Sequence, residues 1–406
     1  MPFDHYRRFR LARQEAHQWR GLREVEPGPG GSLVVGGRTL RNFSSNDYLG
    51  LASHPALIER SREWTARWGA GSGSSRLVSG NLSAFAGIEA KIAAGKGSEA
   101  ALIFASGFQL NASLLPALLD REVLGGEPLV FSDRLNHASI HHGCRAAGVR
   151  QIRYRHGDLD HLESLLVRYR SRPGPRFILS ETVFSMDGDQ VDVAGLIELK
   201  GRFGAFLYLD EAHATGVFGP RGWGLAAGRD PGADLVMGTF SKALGSFGAY
   251  AACSRELREY FINRAGGLVY ATALPPSVLG AIDAAVELVP TLDERRRELL
   301  RGAAELRGFF RGLGLDTGAS STQIVPVMVG EAEAALALSR GLEERGILAV
   351  AIRPPTVPPG GARIRFSLTA HHTSEDLAEV ARVVGEVWGG VTQLEAKRCL
   401  PNAISS

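Results

Sequence analysis

The chain has 406 residues, enough for two domains and a large core, with 46 basic against 43 acidic side chains and no single-sign block. That balance, with aromatic residues at only 8 %, argues against a nucleic-acid surface of basic patches and stacked rings. Three scattered cysteines, Cys144, Cys253 and Cys399, argue against a disulfide framework or a zinc knuckle and suit a reducing cytoplasm.

The first residues, "MPFDHYRRFRLARQ", carry charges where a secretory signal needs an apolar run. No later stretch approaches the roughly 18 apolar residues of a membrane span. A cytoplasmic protein is expected. "YRRFRLARQEAHQW" predicts an amphipathic helix, followed by a Gly/Pro turn and a short strand. "SHPALIERSREWTARWG" (53–69) predicts a helix with Pro55 in its first turn, where proline is tolerated. "GAGSGSSR" (69–76) resembles a phosphate loop but lacks G-K-[ST] and a clear preceding strand, so a P-loop or an NAD dehydrogenase is poorly supported.

From residue 100 onward, short apolar runs alternate with helical patterns. The runs are "AALIFAS" (100–106), "PLVFSD" (128–133), "RQIRY" (150–154), "RFILSET" (176–182), "AFLYLDEAH" (205–213), "DLVMGTFSK" (234–242) and "AYAACS" (249–254). Unbroken apolar runs of this length read as strands covered on both faces. Helical stretches such as "VAGLIELKGRFG" (193–204) between them predict an α/β fold with a mostly parallel, doubly wound sheet. A charged helix at 292–314, strand-like runs "QIVPVMVG", "GILAVAIR" and "ARIRFSL", and a closing helix "SEDLAEVARVVGEVW" predict a smaller C-terminal α+β domain. The expected division is an arm (1–45), a large domain (46–285), a small domain (286–395) and a tail (396–406). Fifty glycines, about twice the ordinary share, cluster in the turns between runs, as suits loops that approach a ligand closely.

Ligands of open parallel sheets bind at the carboxyl ends of the strands. Asp210 ends one run, His213 follows three residues later, and Lys242 ends the next run among small and apolar neighbours. Each alone is unremarkable, but together they fit pyridoxal phosphate. Its aldehyde needs a primary amine, and its ring nitrogen needs a carboxylate to stay protonated. Its phosphate needs a glycine-containing turn into a helix, for which "ASGFQLNAS" (105–113) serves, and hydroxyls, for which Thr239 and Ser241 serve. "NHASIHHGC" (136–144) lacks the glutamate of HExxH, so no metal site is expected. The absence of GxSxG counts against an α/β-hydrolase.

"NFSSNDYLGLASHP" (42–55), "LNHASI" (135–140), "ETVFSMDGD" (181–189), "LDEAHATGVFGPRGWG" (209–224) and "GTFSKALGSFG" (238–248) resemble the α-oxoamine synthases, a family of pyridoxal-phosphate enzymes of fold type I, the aspartate-aminotransferase-like fold. The resemblance runs from about residue 20 to 385. "AIRPPTVPPGGARIRFSLTAHH" (351–372) looks most like the branch that condenses L-alanine with a pimeloyl thioester for biotin synthesis. The resemblance implies that Lys242 holds the cofactor as a Schiff base, that Asp210 pairs with its ring nitrogen, and that His213 bonds its ring hydroxyl. His137 would stack on the ring. Gly107, Phe108 and Thr239 would hold the phosphate, and Ser185 would contact the ring side. Thr272 would reach the phosphate of a partner subunit in a homodimer. Arg353 would bind the amino-acid carboxylate, with Asn46 nearby, and Thr356 and Arg20 would contact substrate. The acyl group would arrive on coenzyme A or on a carrier protein, a choice the sequence leaves open. Close rivals are glycine C-acetyltransferase, 5-aminolevulinate synthase and serine palmitoyltransferase. More distant ones are an aminotransferase and a non-catalytic subunit.

Overall fold

A computed structural model describes residues 3–230 and 232–399, with side chains through residue 390. Residues 400–406 of the expected tail lie outside the described residues. The chain forms two compact units. The larger comprises Asp47–Ser185 and Gln190–Arg297; the smaller comprises the residues up to Asn46, Met186–Asp189 and those from Glu298 onward. The N-terminal arm, expected as a separate piece, therefore clusters with C-terminal residues.

The seven apolar runs form the seven strands of the larger unit. They are β1 (Ala100–Phe104), β2 (Leu129–Asp133), β3 (Gln151–Tyr154), β4 (Arg176–Glu181), β5 (Ala205–Asp210), β6 (Leu235–Thr239) and β7 (Ala249–Cys253). Their order across the sheet is β1-β7-β6-β5-β4-β2-β3. All run parallel except β7, which is antiparallel to both β1 and β6. Side chains alternate between the faces, as strand geometry requires. Val130, Leu179 and Tyr208 pack with Leu110, Leu114 and Phe261 on one face. Phe131, Ile178, Leu207 and Leu209 pack with Leu162, Leu166 and Leu196 on the other. Burial on both faces is why these runs read as continuously apolar. The exception, β3, is an edge strand and only partly buried.

In the smaller unit, three antiparallel strands are ordered Ile324–Gly330, Ala362–Ser367, Val350–Ile352. A second sheet joins Glu26–Pro27, Leu33–Val35 and Arg38–Asn42 to Ile347–Leu348, the last pairing parallel to its neighbour. The run "GILAVAIR", expected as one strand, is thus divided between two sheets at Ala349. The helices expected at 53–69 and 292–314 span Pro55–Trp68 and Asp293–Gly312. The closing helix runs on to Cys399. Among the described residues no helix is long and apolar enough to cross a membrane.

Candidate active site

The carboxyl ends of β1, β2, β4, β5 and β6 surround a cavity of about 240 Å³ in the larger unit. Ser106, Gly107 and Phe108 follow β1, His137 follows β2, Glu181 ends β4, Asp210 ends β5 and Lys242 follows β6, and all line it. Residues more than a hundred positions apart in sequence meet because each parallel strand ends at the same edge.

Lys242 is not isolated. Its Nζ lies 2.9 Å from His213 Nε2, and His213 Nδ1 lies 2.6 Å from the hydroxyl of Tyr48, a fully buried residue. Tyr48 is fixed by its own loop, in which Asp47 accepts the N–H groups of Leu51 and Ala52 at 2.8 and 3.0 Å. The turn after Lys242 closes through Gly245, whose N–H donates to the Lys242 carbonyl at 2.9 Å. Gly245 has φ +62°, and an added Cβ there would come within 2.4 Å of Ala52 N and Leu51 C. Only glycine fits both the angle and the space.

Asp210 is buried and held on both oxygens. One accepts the Ala212 N–H at 2.9 Å, and the other accepts from Asn111 Nδ2 at 3.1 Å. The same Asn111 amide donates to Ser139 Oγ at 2.9 Å, while its carbonyl oxygen accepts from the buried Tyr208 hydroxyl. Burial, and then the nearby Asp210 charge, push the Tyr208 pKa well up, so its proton stays available to orient Asn111. Register also pairs Asp210 with Glu181 across β5 and β4. Burial first, then Asp210, raise the Glu181 carboxyl well above the usual carboxylate range, against the pull of Lys242 and of the His137 N–H it accepts at 2.5 Å. His137 caps the helix Ala138–Ala146 and has Ser139 Oγ 2.7 Å from Nδ1. Crowding by protein lowers its pKa; Asp210 opposes this and Lys242 adds to it.

On the opposite wall, Ser106 caps the helix Gly107–Leu118 by accepting the Gln109 N–H at 3.1 Å. First-turn N–H groups have no partner within a helix and favour an anion. A Cβ at Gly107 would stand 3.3 Å from Met237 Cε, so glycine keeps this wall open. Thr239 Oγ1 donates to the Gly248 carbonyl at 2.8 Å and lies 2.7 Å from Ser241 Oγ.

The cavity thus gathers Lys242, His213, Asp210, His137, Gly107, Phe108 and Thr239. Ser185, buried beyond β4, and Thr272 lie outside its wall. Thr272 bridges to Ser75 and lines a much smaller cavity with Arg76 and Gln109. Of the tempting histidines, His141 contacts Gln151 Oε1 at 2.7 Å and His142 lies against the Phe108 ring. Of the five substrate candidates, His137 lines the cavity, and Arg20, Asn46, Arg353 and Thr356 belong to the smaller unit. There Arg20 donates to Thr356 Oγ1 at 2.6 Å, and Arg353 donates to the carbonyl of His17 at 2.8 Å. Asn46 accepts from the buried Arg365 at 3.2 Å. Tyr48, Asn111, Glu181, Tyr208 and Arg365 were not singled out in the sequence. All five sit inside quoted stretches, Tyr48 in "NFSSNDYLGLASHP", Asn111 in "ASGFQLNAS", Glu181 in "ETVFSMDGD", Tyr208 in "AFLYLDEAH" and Arg365 in "ARIRFSL".

The profile of "aminotransferase class I and II" matches residues 38–384. The chain belongs to the aminotransferase class I and II family. Within it, a relative from Magnetococcus marinus is 61 % identical over 379 residues, covering 93 % of this chain and 96 % of that one. The 8-amino-7-oxononanoate synthase of Gluconacetobacter diazotrophicus is 60 % identical over 338 residues, covering 83 % and 85 %. The Magnetococcus protein carries the same name provisionally. The structure is similar to serine palmitoyltransferase of S. paucimobilis, solved with a PLP–myriocin aldimine bound. The TM-score is 0.88 at 25 % identity, over 97 % of this chain and 98 % of that one.

Proposed function

We propose that this aminotransferase-family chain catalyses the 8-amino-7-oxononanoate synthase reaction with pyridoxal phosphate. L-alanine condenses with a pimeloyl thioester, releasing free thiol and CO2. The observation that carries the reading is the meeting of Lys242, His213 and Asp210 at one cavity edge. The donor set fits the cofactor: one amine for an aldehyde, a buried carboxylate for a ring nitrogen, and a helix start with two hydroxyls for a phosphate. When bound, the cofactor supplies an electron-withdrawing ring attached to the amino acid's nitrogen.

The chain's own residues do the rest. Asp210, held by Asn111 and the Ala212 N–H, is aimed before the ligand arrives and needs no reorganisation. Lys242 would hold the aldehyde, and its free amine, at the cavity edge, would serve as the base for the amino acid's Cα proton. His213, held at Nδ1 by the Tyr48 hydroxyl, would bond a ring hydroxyl. His137, with its lowered pKa, is neutral at pH 7 and offers a flat apolar face above the site as well as a proton acceptor. Gly107, Phe108 and Thr239 would hold the phosphate, and Thr272 would reach that of a second copy in a homodimer. In the smaller unit, Arg20, Asn46, Arg353 and Thr356 bind substrate, Arg353 taking the carboxylate. Its neighbour in function is Arg365, which already bonds Asn46.

Thiol release would be measured with alanine, glycine and serine against pimeloyl, acetyl, succinyl and palmitoyl thioesters. The reading requires alanine with pimeloyl to give the highest kcat/KM, and a clear preference for another pair would replace it with a sister synthase. Borohydride should fix the cofactor on the peptide containing Lys242. Lys242→Ala should lose both this fixation and turnover at an unchanged melting temperature of the cofactor-free protein.

A further inference from the structure

Three carboxyl groups stand at the carboxyl edge of the larger sheet on adjacent strands: Asp133 ends β2, Glu181 ends β4 and Asp210 ends β5. They differ in the donors that hold them. Asp133 accepts the Leu135 and Gly157 N–H groups at 2.8 and 2.9 Å, one on each oxygen, and lies 3.0 Å from His156 Nδ1. Asp210 is likewise held on both oxygens, by the Ala212 N–H and the Asn111 amide. Glu181 is just as buried, at 2 % exposure, yet only one of its oxygens is met, by the His137 N–H. Among the described residues no donor reaches the other oxygen, and Glu181 lines the cavity. Carboxyls crowded together do not all ionise, and hydrogen bonds to an anion decide which of them stay charged. By donor count the proton belongs to Glu181.

The titratable groups that face it are Asp210 and Tyr208 on β5, Asp133 and His137 at and beyond the end of β2, and Lys242 beyond β6. Burial first, then the two aspartates, outweigh Lys242 and the His137 N–H. A neutral carboxyl, unlike a carboxylate, has an O–H to give. We propose that Glu181 is a further catalytic residue, whose free oxygen donates a hydrogen bond to the carbonyl oxygen of the bound acyl thioester. This rests on the synthase reading. When the amino acid's Cα attacks that carbonyl, the C=O π pair moves to oxygen; its return expels the thiolate and leaves the new C–C bond. A donor fixed beside the oxygen beforehand favours the step that loads it with charge. Glu181 shares its proton and keeps it, so the step needs no other reactant. Its second oxygen stays on the His137 N–H, which stops the side chain from turning away.

The test uses the holoenzyme with alanine and pimeloyl-CoA or a pimeloyl-loaded carrier protein, unmodified and as E181M and E181Q. E181Q keeps an acceptor for the His137 N–H and an N–H donor for the carbonyl; E181M keeps neither. E181M should lose on the order of 10²–10³-fold in kcat, while its alanine-induced spectral change saturates at the parent's alanine concentration. E181Q should recover part of that loss. An ionised Glu181 still accepts from His137 but cannot donate, so the parent's kcat should fall at alkaline pH, and in E181Q that fall should move to higher pH. The cofactor-free protein gives a reading independent of turnover. Folded Glu181 keeps a proton that the unfolded chain releases above about 4.3, so its stability contribution is full below that pH and is lost as pH climbs through the raised value. The melting temperature of E181Q minus that of the parent should therefore climb over the same range. A kcat for E181M close to the parent's, E181Q no better than E181M, an unmoved alkaline fall, or a melting difference flat with pH each overturns the proposal. Absence of turnover by the parent with both thioesters sinks the reaction and this role with it, while the melting difference still decides where the proton lies.

Discussion

Lys96 and Glu211 form an ion pair that is closed off from water, with side chains 2 % and 0 % exposed and Nζ 2.5 Å from Oε2. Glu211 also accepts the Ala226 N–H at 2.9 Å, and Lys96 lies 5.4 Å from the Tyr250 ring centroid. The pair sits under the turn that carries Asp210 and His213. Lys96→Met keeps most of the volume but leaves the Glu211 carboxylate with neutral donors only. Stranding one charge of a buried pair costs about 3–5 kcal/mol. At roughly 2–4 °C per kcal/mol for a unit of this size, the cofactor-free protein should melt about 6–20 °C lower. Adding Glu211→Gln removes the stranded charge and keeps an acceptor for Ala226, so the double variant should regain most of the loss. Burial pulls the Lys96 pKa down, yet Glu211 and Tyr250 outweigh it and leave it raised. The pair is therefore intact below lysine's ordinary value near 10.4, and its contribution fades only as pH climbs through the raised value. Urea unfolding of the two variants and the parent at pH 7 decides the matter. A loss under about 1 kcal/mol for Lys96→Met, or a double variant no better than the single, would refute the reasoning.

Tyr48→Phe removes the partner of His213 Nδ1. One hydrogen bond of about 1 kcal/mol should move the pH at which the holoenzyme's visible band changes by about 0.7 unit, and an unmoved band would show that Tyr48 does not act on the site through His213. Gly245→Ala should destabilise by at least about 1–2 kcal/mol, because φ is positive and the Cβ meets the backbone of Leu51 and Ala52; denaturant midpoints report it. His372, stacked on Phe43 at 4.0 Å, has its pKa lowered to about 4 by burial. Its folded form refuses a proton that the unfolded chain accepts below about 6.5, so stability present at neutral pH should fall as pH drops from 6.5 towards 4. His372→Phe should flatten that slope in pH-dependent melts, and an unchanged slope would assign it to other groups.

The seven strands and the edge on which chemistry gathers were legible because strands buried on both faces leave unbroken apolar runs. Asp210, His213 and Lys242 each stood at the end of such a run. Strand direction left no such mark: β7 looks like its neighbours in sequence yet runs against them. The division of "GILAVAIR" at Ala349 was equally hidden, because pairing partners far away in sequence decide it. The supporting residues were missed for a related reason. Tyr48, Asn111 and Tyr208 matter through bonds to residues 165, 99 and 97 positions away. Lys96, in "IAAGKG", gave no warning of its buried pair, since a lysine in the last turn of a helix reads as solvated.

The reversed strand has an effect on how Lys242 is carried. Because β7 lies between β1 and β6, the ends of those two strands stand two strand spacings apart, about 10 Å. Between them the chain needs only the short Lys242 turn, since an antiparallel neighbour can be joined by a hairpin. A parallel strand in that place would need a helical crossover of a dozen residues or more, and the amine would ride on a long, yielding connection. Reversal thus carries the reactive nitrogen on a short hairpin connection rather than a long crossover.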